Sequence, residues 1–290
     1  MSKYFDELQR AEEWSLQQAK AMREAASTLV ESAPAPELVT PNPPKPHDQR
    51  RPLIRLEVPP ESPIVFGAKE SYHHATEAYR TLRTRLLRLQ ASKGFRSIAV
   101  SSATPGEGKT VTTLNLGLCC AQLHDTPILL IDADLRKAEL SRLLGRPAGA
   151  GLAEVLGGKA SFQDSIIPTE NPNLFVMSAG TPETPAPELL ASETWKELMA
   201  WCGETFRLTL IDTPPARPLA DFELVSAACD GYLMVVRARQ TERDALKGVA
   251  THLDAKKLVG VVFNSADTLA KASYGATYAA YGQESALSLE

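Results

Sequence analysis

The sequence predicts an α/β fold with a mostly parallel sheet and helices on both faces. Short apolar, β-branched runs alternate with helical segments between about residues 71 and 264. These runs are continuously apolar, which is typical of strands that are covered on both faces. Acidic residues directly follow two of the runs, at the strand ends where sheets of this kind bind ligands.

The elements follow one another in a regular order. A helix from Tyr72 to Gln90 is expected to precede the first strand, and a helix from Lys109 to Leu123 is expected to follow it. The expected strands are Ser97–Ser102, Ile128–Ile131, Leu174–Met177, Leu208–Ile211, Tyr232–Val236 and Val259–Phe263. Helical stretches separate the strands, which favours parallel pairing.

Two N-terminal segments differ from this pattern. Residues 1–32 are rich in Ala, Glu, Gln and Lys and contain no Gly or Pro, so they predict a helical segment. Residues 33–66 contain about ten prolines among charged and small residues and predict a linker without a packed core. The α/β domain is therefore expected over 67–270, which leaves 271–290 as a C-terminal tail.

Composition excludes several classes of protein. A net charge of -4 argues against nucleic acid as the main partner, because phosphate binding favours a basic surface. No stretch is apolar enough to cross a bilayer, so we expect a cytoplasmic chain without direct membrane insertion. The spacing of the cysteines indicates neither a metal site nor a disulfide framework. We expect free buried thiols at Cys119, Cys120, Cys202 and Cys229.

The segment SATPGEGKT, residues 102–110, has the composition of a phosphate-binding loop between a strand and a helix. Gly106 and Gly108 allow backbone N–H groups to curl around a phosphate. Lys109 is expected to face solvent and to bind the outer phosphate oxygens, and Thr110 offers a hydroxyl to magnesium. An ordinary Gly-rich turn is the alternative, but it would leave the GKT triplet at a helix start unexplained.

The whole loop is expected to bind the nucleotide. The strict phosphate-loop pattern has Gly where Ala103 stands, yet the strand and helix on either side of the loop are intact. The residues expected to bind nucleotide here are Ala103, Thr104, Pro105, Gly106, Glu107, Gly108, Lys109, Thr110 and Val111.

Carboxylates follow two of the predicted strands. Asp132 and Asp134 come after the run ILLI, and Asp212 comes after LTLI. Such strand ends hold magnesium beside bound phosphates, so Thr110, Asp132 and Asp212 are the expected metal residues. Asp134 could instead face an acceptor and take the proton of a phenol, whose pKa is about 10. The alternative is that Asp134 only caps a helix beginning near Leu135.

Together, the segments SSATPGEGKTVTTLNLG, ILLIDADLRKAEL and LTLIDTPP resemble the Walker A, Walker A′ and Walker B motifs of the bacterial protein-tyrosine kinases, or BY-kinases. The resemblance covers about residues 70 to 282 and implies the P-loop NTPase fold that partitioning and division-site ATPases share. Those ATPases carry a signature lysine where this chain has Thr104, which favours the kinase branch.

The charged residues Glu77, Arg80 and Arg83 form an ExxRxxR motif on one face of the helix predicted to precede the first strand. Alone, such a charge run is usually a solvated face. In BY-kinases this motif makes the subunit contacts of a ring, so the resemblance implies a ring-shaped homo-oligomer.

The C-terminal tail carries Tyr274, Tyr278 and Tyr281. Their spacing would also suit the buried stripe of a helix, although the surrounding small residues offer no bulky aliphatic side chains to complete a core. BY-kinases end in a tyrosine cluster that receives the phosphate, so the resemblance implies that these three residues are phosphoacceptors.

Two residues at the ends of later strands complete the site that the resemblance implies. Asn264 resembles the residue that reads the adenine amino group in this scaffold, and Arg237 lies at a strand end near the expected nucleotide. Either residue could instead tie down a loop.

The predicted activity is ATP-dependent autophosphorylation on tyrosine that regulates the synthesis and export of exopolysaccharide or capsule. Lys109, Asp132 and Asp134 are the expected catalytic residues, with ATP and Mg²⁺ as cofactors. Positioning and charge stabilisation should supply most of the rate, since phosphoryl transfer passes through a loose transition state. The alternatives are a partitioning-type ATPase switch and a nucleotide-gated scaffold without kinase activity.

The resemblance also implies a membrane-bound partner. Family members without a transmembrane part usually need the cytoplasmic segment of a membrane protein, similar to a polysaccharide co-polymerase, as an activator. Such a partner is expected to recruit the chain to the inner face of the cell membrane.

Overall fold

A computed structural model describes residues 53–55, 64–66, 73–145, 149–217 and 220–266 of the chain. Seven strands form one sheet in the order β3-β4-β2-β5-β1-β6-β7. The strands are β1 Ser97–Ser102, β2 Ile128–Asp132, β3 Ile167–Pro168, β4 Leu174–Met177, β5 Leu208–Asp212, β6 Gly231–Arg237 and β7 Leu258–Asn264. All neighbouring pairs are parallel except β3 with β4.

Eight α-helices lie in the described part of the chain. They are α1 His73–Lys93, α2 Lys109–Cys120, α3 Glu139–Leu143, α4 Leu152–Leu156, α5 Ala186–Leu190, α6 Glu193–Thr205, α7 Asp221–Ala228 and α8 Arg243–Ala250. A 3₁₀ turn at Ala255–Lys257 leads into β7. The mostly parallel sheet and the helices between its strands confirm the predicted fold class.

Each face of the sheet carries its own apolar core. Helices α1, α2 and α3 cover one face, where Leu86 and Leu114 pack against strand residues such as Ile98 and Leu210. Helices α4 to α8 cover the other face, where the fully buried Trp195 and other side chains pack against the opposite side of the same strands. Both faces are buried, which explains why the strand sequences are continuously apolar.

The six predicted strands are confirmed, with bounds that shift by one residue at most at each end. The helix expected from Tyr72 to Gln90 runs from His73 to Lys93, and the helix expected to reach Leu123 ends at Cys120. Strand β3 was not predicted, because a two-residue strand is too short to show a period in the sequence.

The packed core extends into the segment that was expected to be only a linker. Ile54, Ile64 and Phe66 are buried against the same face of the sheet as α2. The backbone of Ile54 also forms a parallel bridge with Thr169. The apolar core therefore starts before residue 67, because single apolar residues between prolines can pack without a regular element around them.

The four cysteines are free and buried, as expected. Burial raises the pKa of Cys120 and of Cys229 to about 12, so both are protonated thiols at neutral pH. No helix among the described residues is long and apolar enough to cross a membrane. The predicted helical segment 1–32, most of the linker and the tail 271–290 lie outside the described residues.

Candidate nucleotide-binding and catalytic site

The loop between β1 and α2 has the backbone of a phosphate-binding loop. Gly106 and Gly108 adopt φ values of +82° and +94°, a region that side chains other than glycine rarely enter. A Cβ atom on Gly108 would collide with the side-chain nitrogen of Asn264, so a side chain here would require Asn264 to move. Helix α2 then begins at Lys109, which places its first N–H groups at the loop.

The ammonium group of Lys109 lies in a cluster of carboxylates. Its Nζ donates to Thr110 Oγ1 at 3.0 Å and lies 3.5 Å from Asp134 Oδ2. Glu139 Oε2 and Asp212 Oδ2 are each 3.8 Å away. Lys109 is 6% exposed, so the expectation that it faces solvent is wrong. The strand ends bring several acids together, and their charge holds the lysine between them.

Sheet register explains why these acids meet. Asp132 at the end of β2 is the register partner of Asp212 at the end of β5, and β5 lies directly beside β1. The hydroxyl of Thr110 donates to Asp212 Oδ2 at 2.8 Å. The two acidic strand ends therefore lie on one side of the phosphate-binding loop, as their positions in the sequence indicate.

Burial and charge act against each other on the pKa values of this cluster. Burial alone lowers the pKa of Lys109, but the surrounding carboxylates, led by Asp212, raise it above its ordinary value. Burial raises the pKa of Asp212 to about 7, although Lys109 opposes the shift. Burial also raises the pKa of Asp132. A divalent cation near these acids would favour their charged forms.

Asp132 is held by the protein itself. Its Oδ2 accepts hydrogen bonds from the backbone N–H and the hydroxyl of Ser141, at 2.7 and 2.6 Å. Its Oδ1 accepts one from the backbone N–H of Asp134 at 3.2 Å. Asp132 therefore fixes the start of the following loop, and its expected metal and catalytic roles remain predictions.

Asp134 caps a turn with one carboxylate oxygen and approaches Lys109 with the other, while its role as a proton acceptor remains a prediction. Its Oδ1 accepts from the backbone N–H of Lys137 at 3.1 Å, which caps a turn. Its Oδ2 points to Lys109. The helix after this turn begins at Glu139 rather than near Leu135.

Two buried carboxylate oxygens in the cluster, Asp134 Oδ2 and Asp212 Oδ1, have no hydrogen-bond partner among the described residues. Unpartnered buried acceptors suit a cation. No group of three acidic, His or Cys side chains in the described ranges could hold a metal ion by itself. Magnesium commonly uses one or two carboxylates together with phosphate oxygens and water, so the donors fit a nucleotide-bound Mg²⁺ better than a free ion.

A cavity of about 480 Å³ opens above this cluster. Its size lies within the usual range for small-molecule sites. The predicted residues that line it are Pro105, Gly106, Gly108, Lys109, Thr110, Val111, Asp134, Arg237 and Asn264. Ala103, Thr104, Glu107, Asp132 and Asp212 do not line the cavity and are buried or half-buried behind it. The structure therefore divides the predicted site into a cavity wall and a supporting layer.

Glu139 is a site residue that the sequence analysis missed. Its carboxylate lines the cavity and lies 3.4 Å from Thr110 Oγ1. The preceding Ala138 adopts φ of 49°, a left-handed conformation that is uncommon for a residue other than glycine. The turn after Asp134 directs Glu139 back to the loop, and no motif or spacing in the sequence indicates such a return.

Arg237 and Asn264 approach the loop from the opposite side. Arg237 Nη1 donates to the backbone oxygen of Gly106 at 3.0 Å, and Asn264 Nδ2 donates to the backbone oxygen of Glu107 at 2.9 Å. Both residues line the cavity, and both tie down the loop, which was their alternative role. Contact with adenine remains a prediction for Asn264.

The ExxRxxR motif lies on α1. Arg80 and Glu77 form an exposed ion pair along the helix. Arg83 instead donates from Nη1 to the backbone oxygen of Cys119 at 2.7 Å, near the end of α2. This part of the motif supports packing within the subunit, while subunit contacts remain a prediction. The tail residues Tyr274, Tyr278 and Tyr281 lie outside the described residues.

The chain is similar in sequence to known tyrosine-protein kinases. The chain is 33% identical to tyrosine-protein kinase YwqD of Bacillus subtilis (strain 168) over 214 residues, which is 73% of this chain and 90% of that protein. It is 34% identical to tyrosine-protein kinase wzc of Salmonella typhimurium over 66% of this chain, but this stretch is 27% of that longer protein. No family model matches the chain.

Solved structures that resemble this chain include a tyrosine kinase domain and a cell-division ATPase. The kinase domain of Escherichia coli tyrosine kinase ETK superposes with a TM-score of 0.65 at 27% identity, covering 74% of this chain and 83% of that domain. The cell-division ATPase MinD of Pyrococcus furiosus has a TM-score of 0.50 at 25% identity, covering 58% of this chain and 70% of that protein. The extent of the match to YwqD, with the three motifs gathered at one cavity, shows that the chain belongs to the family of bacterial tyrosine-protein kinases.

Proposed function

We propose that this chain is an ATP-dependent tyrosine autokinase that phosphorylates the tail of a neighbouring copy of itself. The observation that carries the proposal is Asp134, which lines the cavity and whose buried Oδ2 accepts no hydrogen bond from the described residues but lies 3.5 Å from the ammonium group of Lys109. A carboxylate in this place can take a proton from an acceptor while the lysine beside it binds phosphate.

ATP would occupy the cavity with its phosphates on the loop from Ala103 to Thr110. Lys109 would then exchange part of its contact with the carboxylates for contact with the β- and γ-phosphate oxygens. Thr110 and Asp212 would hold Mg²⁺, with Asp132 acting directly or through water. Bound Mg²⁺ supplies neutralisation of the charge that develops on the transferred phosphoryl group.

The transfer itself is a single displacement. The hydroxyl oxygen of the acceptor tyrosine forms a bond to the γ-phosphorus as the bond to the β–γ bridging oxygen breaks, which releases ADP. The phenolic proton passes to Asp134. Lys109 holds the phosphoryl group in line during this step, so most of the acceleration comes from position and charge.

The acceptors in this proposal are Tyr274, Tyr278 and Tyr281, presented by the next subunit of a ring. The exposed pair Glu77 and Arg80 supports a subunit contact on α1. Phosphorylation adds negative charge to the tail, which should loosen contacts that need a neutral tail in the neighbouring site. The cycle would regulate exopolysaccharide or capsule synthesis, with activation by the cytoplasmic segment of a membrane protein.

The similarity to MinD supports a second candidate function, an ATPase switch that transfers phosphate only to water. Incubation with ATP and magnesium separates the two candidates. An autokinase acquires phosphotyrosine, whereas an ATPase releases phosphate and its tyrosines stay unmodified. Tight nucleotide binding without either product would favour a scaffold.

Asp134→Asn sharpens this test because Asn keeps the size of the side chain and can still cap the turn at Lys137. We expect phosphotyrosine formation to slow by about 100-fold, which is within the usual contribution of a general base. Nucleotide affinity should change little. If Asp134→Asn forms phosphotyrosine at the wild-type rate, Asp134 is not the proton acceptor.

A further inference from the structure

Glu107 is a fully buried carboxylate inside the phosphate-binding loop, with 0% of its surface exposed. Its Oε2 accepts from the backbone N–H of Thr104 at 3.2 Å, and its Oε1 accepts from the hydroxyl of Thr104 at 2.9 Å. The hydroxyl of Thr241 donates to the same Oε1 at 2.6 Å. A buried carboxylate is costly unless its hydrogen bonds are made, and here three neutral donors make them.

Thr241 connects this carboxylate to the end of β6. Its hydroxyl accepts from the backbone N–H of Arg237 at 2.9 Å while it donates to Glu107. The backbone N–H of Thr241 also donates to the Arg237 carbonyl at 3.0 Å, which closes a tight turn. Within that turn Arg239 adopts φ of 62°, a conformation that a non-glycine residue keeps only where the surroundings fix it.

The same region of the loop is held from β6 and β7 by the side chains of Arg237 and Asn264. These two residues are register partners on neighbouring strands, and they donate to the carbonyl groups of Gly106 and Glu107. The centre of the loop is thus attached at three points to the side of the cavity opposite the acidic cluster. Of the three, the contact between Glu107 and Thr241 does not use a side chain that lines the cavity.

This attachment matters because a phosphate-binding loop works only when its N–H groups already converge. The two glycines at positive φ allow the loop to adopt its shape, but glycine also permits many other backbone conformations. We propose that Glu107 and Thr241 are positioning residues that hold the loop ready for nucleotide and so raise the affinity for ATP. The proposal rests on the nucleotide site of the proposed function and adds the turn after β6 to it.

The test compares two substitutions at Thr241, which is half-buried and lies outside both apolar cores. Thr241→Val keeps the shape and removes the hydroxyl, whereas Thr241→Ser keeps the hydroxyl. We expect Thr241→Val to raise the Kd of a fluorescent ATP analogue with magnesium about tenfold, as for loss of a hydrogen bond to a charged group. The kcat at saturating ATP should change less than twofold, and Thr241→Ser should bind like wild type.

A second measurement needs no nucleotide. Hydrogen–deuterium exchange of the peptide covering residues 103–110 should be faster in nucleotide-free Thr241→Val than in wild type and in Thr241→Ser. In a Glu107→Ala background, Thr241→Val should add a much smaller loss of affinity than in wild type, because the contact with Glu107 is already absent and only the hydrogen bond from the backbone N–H of Arg237 remains to be lost.

Equal affinities and equal exchange rates in Thr241→Val and wild type would overturn the proposal, as would equal losses in the Val and Ser variants. If wild-type protein binds no nucleotide, the proposed function fails. The exchange measurement then still decides whether Glu107 and Thr241 hold the loop.

Discussion

The chemistry of the site depends on where one lysine is placed. Lys109 is buried among Asp134, Glu139 and Asp212 rather than free in solvent. Its positive charge balances acids that would otherwise repel one another in a site of low dielectric constant. We therefore expect the same residue to contribute both to the proposed phosphate binding and to the stability of the nucleotide-free protein.

Lys109→Met should abolish both phosphotyrosine formation and ATP hydrolysis. Because Met leaves Asp134 and Asp212 without their cation, we also expect the variant to be less stable than wild type at neutral pH. Replacement of a solvent-facing lysine would leave the stability almost unchanged. Phosphate transfer assays and urea unfolding followed by circular dichroism measure the two effects.

Lys196→Met is the matched control, since Lys196 is an exposed helix residue in a surface ion pair with Glu193. It should retain activity and lose little stability. A folded Lys109→Met protein with normal turnover would refute the site assignment. Unchanged unfolding would show that the buried cluster does not depend on the lysine charge.

At the scale of single elements, the short helix α4 depends on its N-terminal cap. Glu154 Oε2 accepts from the backbone N–H of Gly151 at 2.8 Å, and Oε1 accepts from the backbone N–H of Thr181 at 2.9 Å. Gly151 approaches the backbone so closely that a Cβ atom would collide with the backbone nitrogen of Gly180. One carboxylate thus fixes α4 to the loop after β4.

Glu154→Gln should lower the free energy of unfolding by about 1 kcal/mol at pH 7, as for the loss of a helix cap. Partial burial raises the pKa of Glu154, but the two backbone N–H groups lower it more, so the net shift is downward. The carboxylate therefore stabilises the fold above its unfolded pKa, near 4.5, and this contribution is lost as pH falls through the lower folded value.

Urea unfolding of wild type and Glu154→Gln at pH 7 and below pH 4 measures this difference. The two proteins should converge at low pH. Glu197→Gln, at an exposed position of α6, should match wild type at both pH values. A constant difference between wild type and Glu154→Gln across the pH range would mean that the charge of Glu154 is not what stabilises α4.

At the scale of the whole molecule, the proposed phosphorylation in trans requires that subunits assemble. Replacing Glu77, Arg80 and Arg83 together with Ala should give monomers, as judged by light scattering after sizing chromatography. Because Arg83 also donates to the carbonyl of Cys119, the triple variant should lose some stability as well. The double variant at Glu77 and Arg80 separates assembly from packing.

Arg85 and Arg88 lie on the same helix outside the motif and are exposed, so their replacement by Ala is the matched control. It should leave the assembly unchanged. If the triple variant has the same size as wild type, the charged face of α1 is only solvated.

Phosphorylation of the tail tyrosines distinguishes the kinase function from the ATPase function. Mass spectrometry after incubation with ATP and magnesium should find phosphate on at least one of Tyr274, Tyr278 and Tyr281, and a triple Phe variant should lose most of the signal. The Phe rings keep any packing role of the tyrosines, so the variant isolates the hydroxyl groups. A tail cut after Ala272 should also weaken ring assembly.

The assay should be repeated with the cytoplasmic segment of a candidate membrane partner, because an isolated chain can lack its activator. If the partner stimulates ATP hydrolysis while all three tyrosines stay unmodified, the ATPase function replaces the autokinase function.

The sequence by itself determined the sheet and the place of its site. Six of seven strands could be located because a strand buried on both faces must be apolar along its length. Asp132, Asp134, Asp212 and the loop around Lys109 could be assigned to one edge of the sheet, because parallel strands place their carboxyl ends together.

Only the tertiary structure decided which contacts these residues make with one another. The burial of Lys109, the return of Glu139 to the cavity and the contact between Glu107 and Thr241 join residues that are far apart along the chain or turned by irregular loops. Such contacts leave no period and no motif in a single sequence, since they depend on the packing of the elements that carry them.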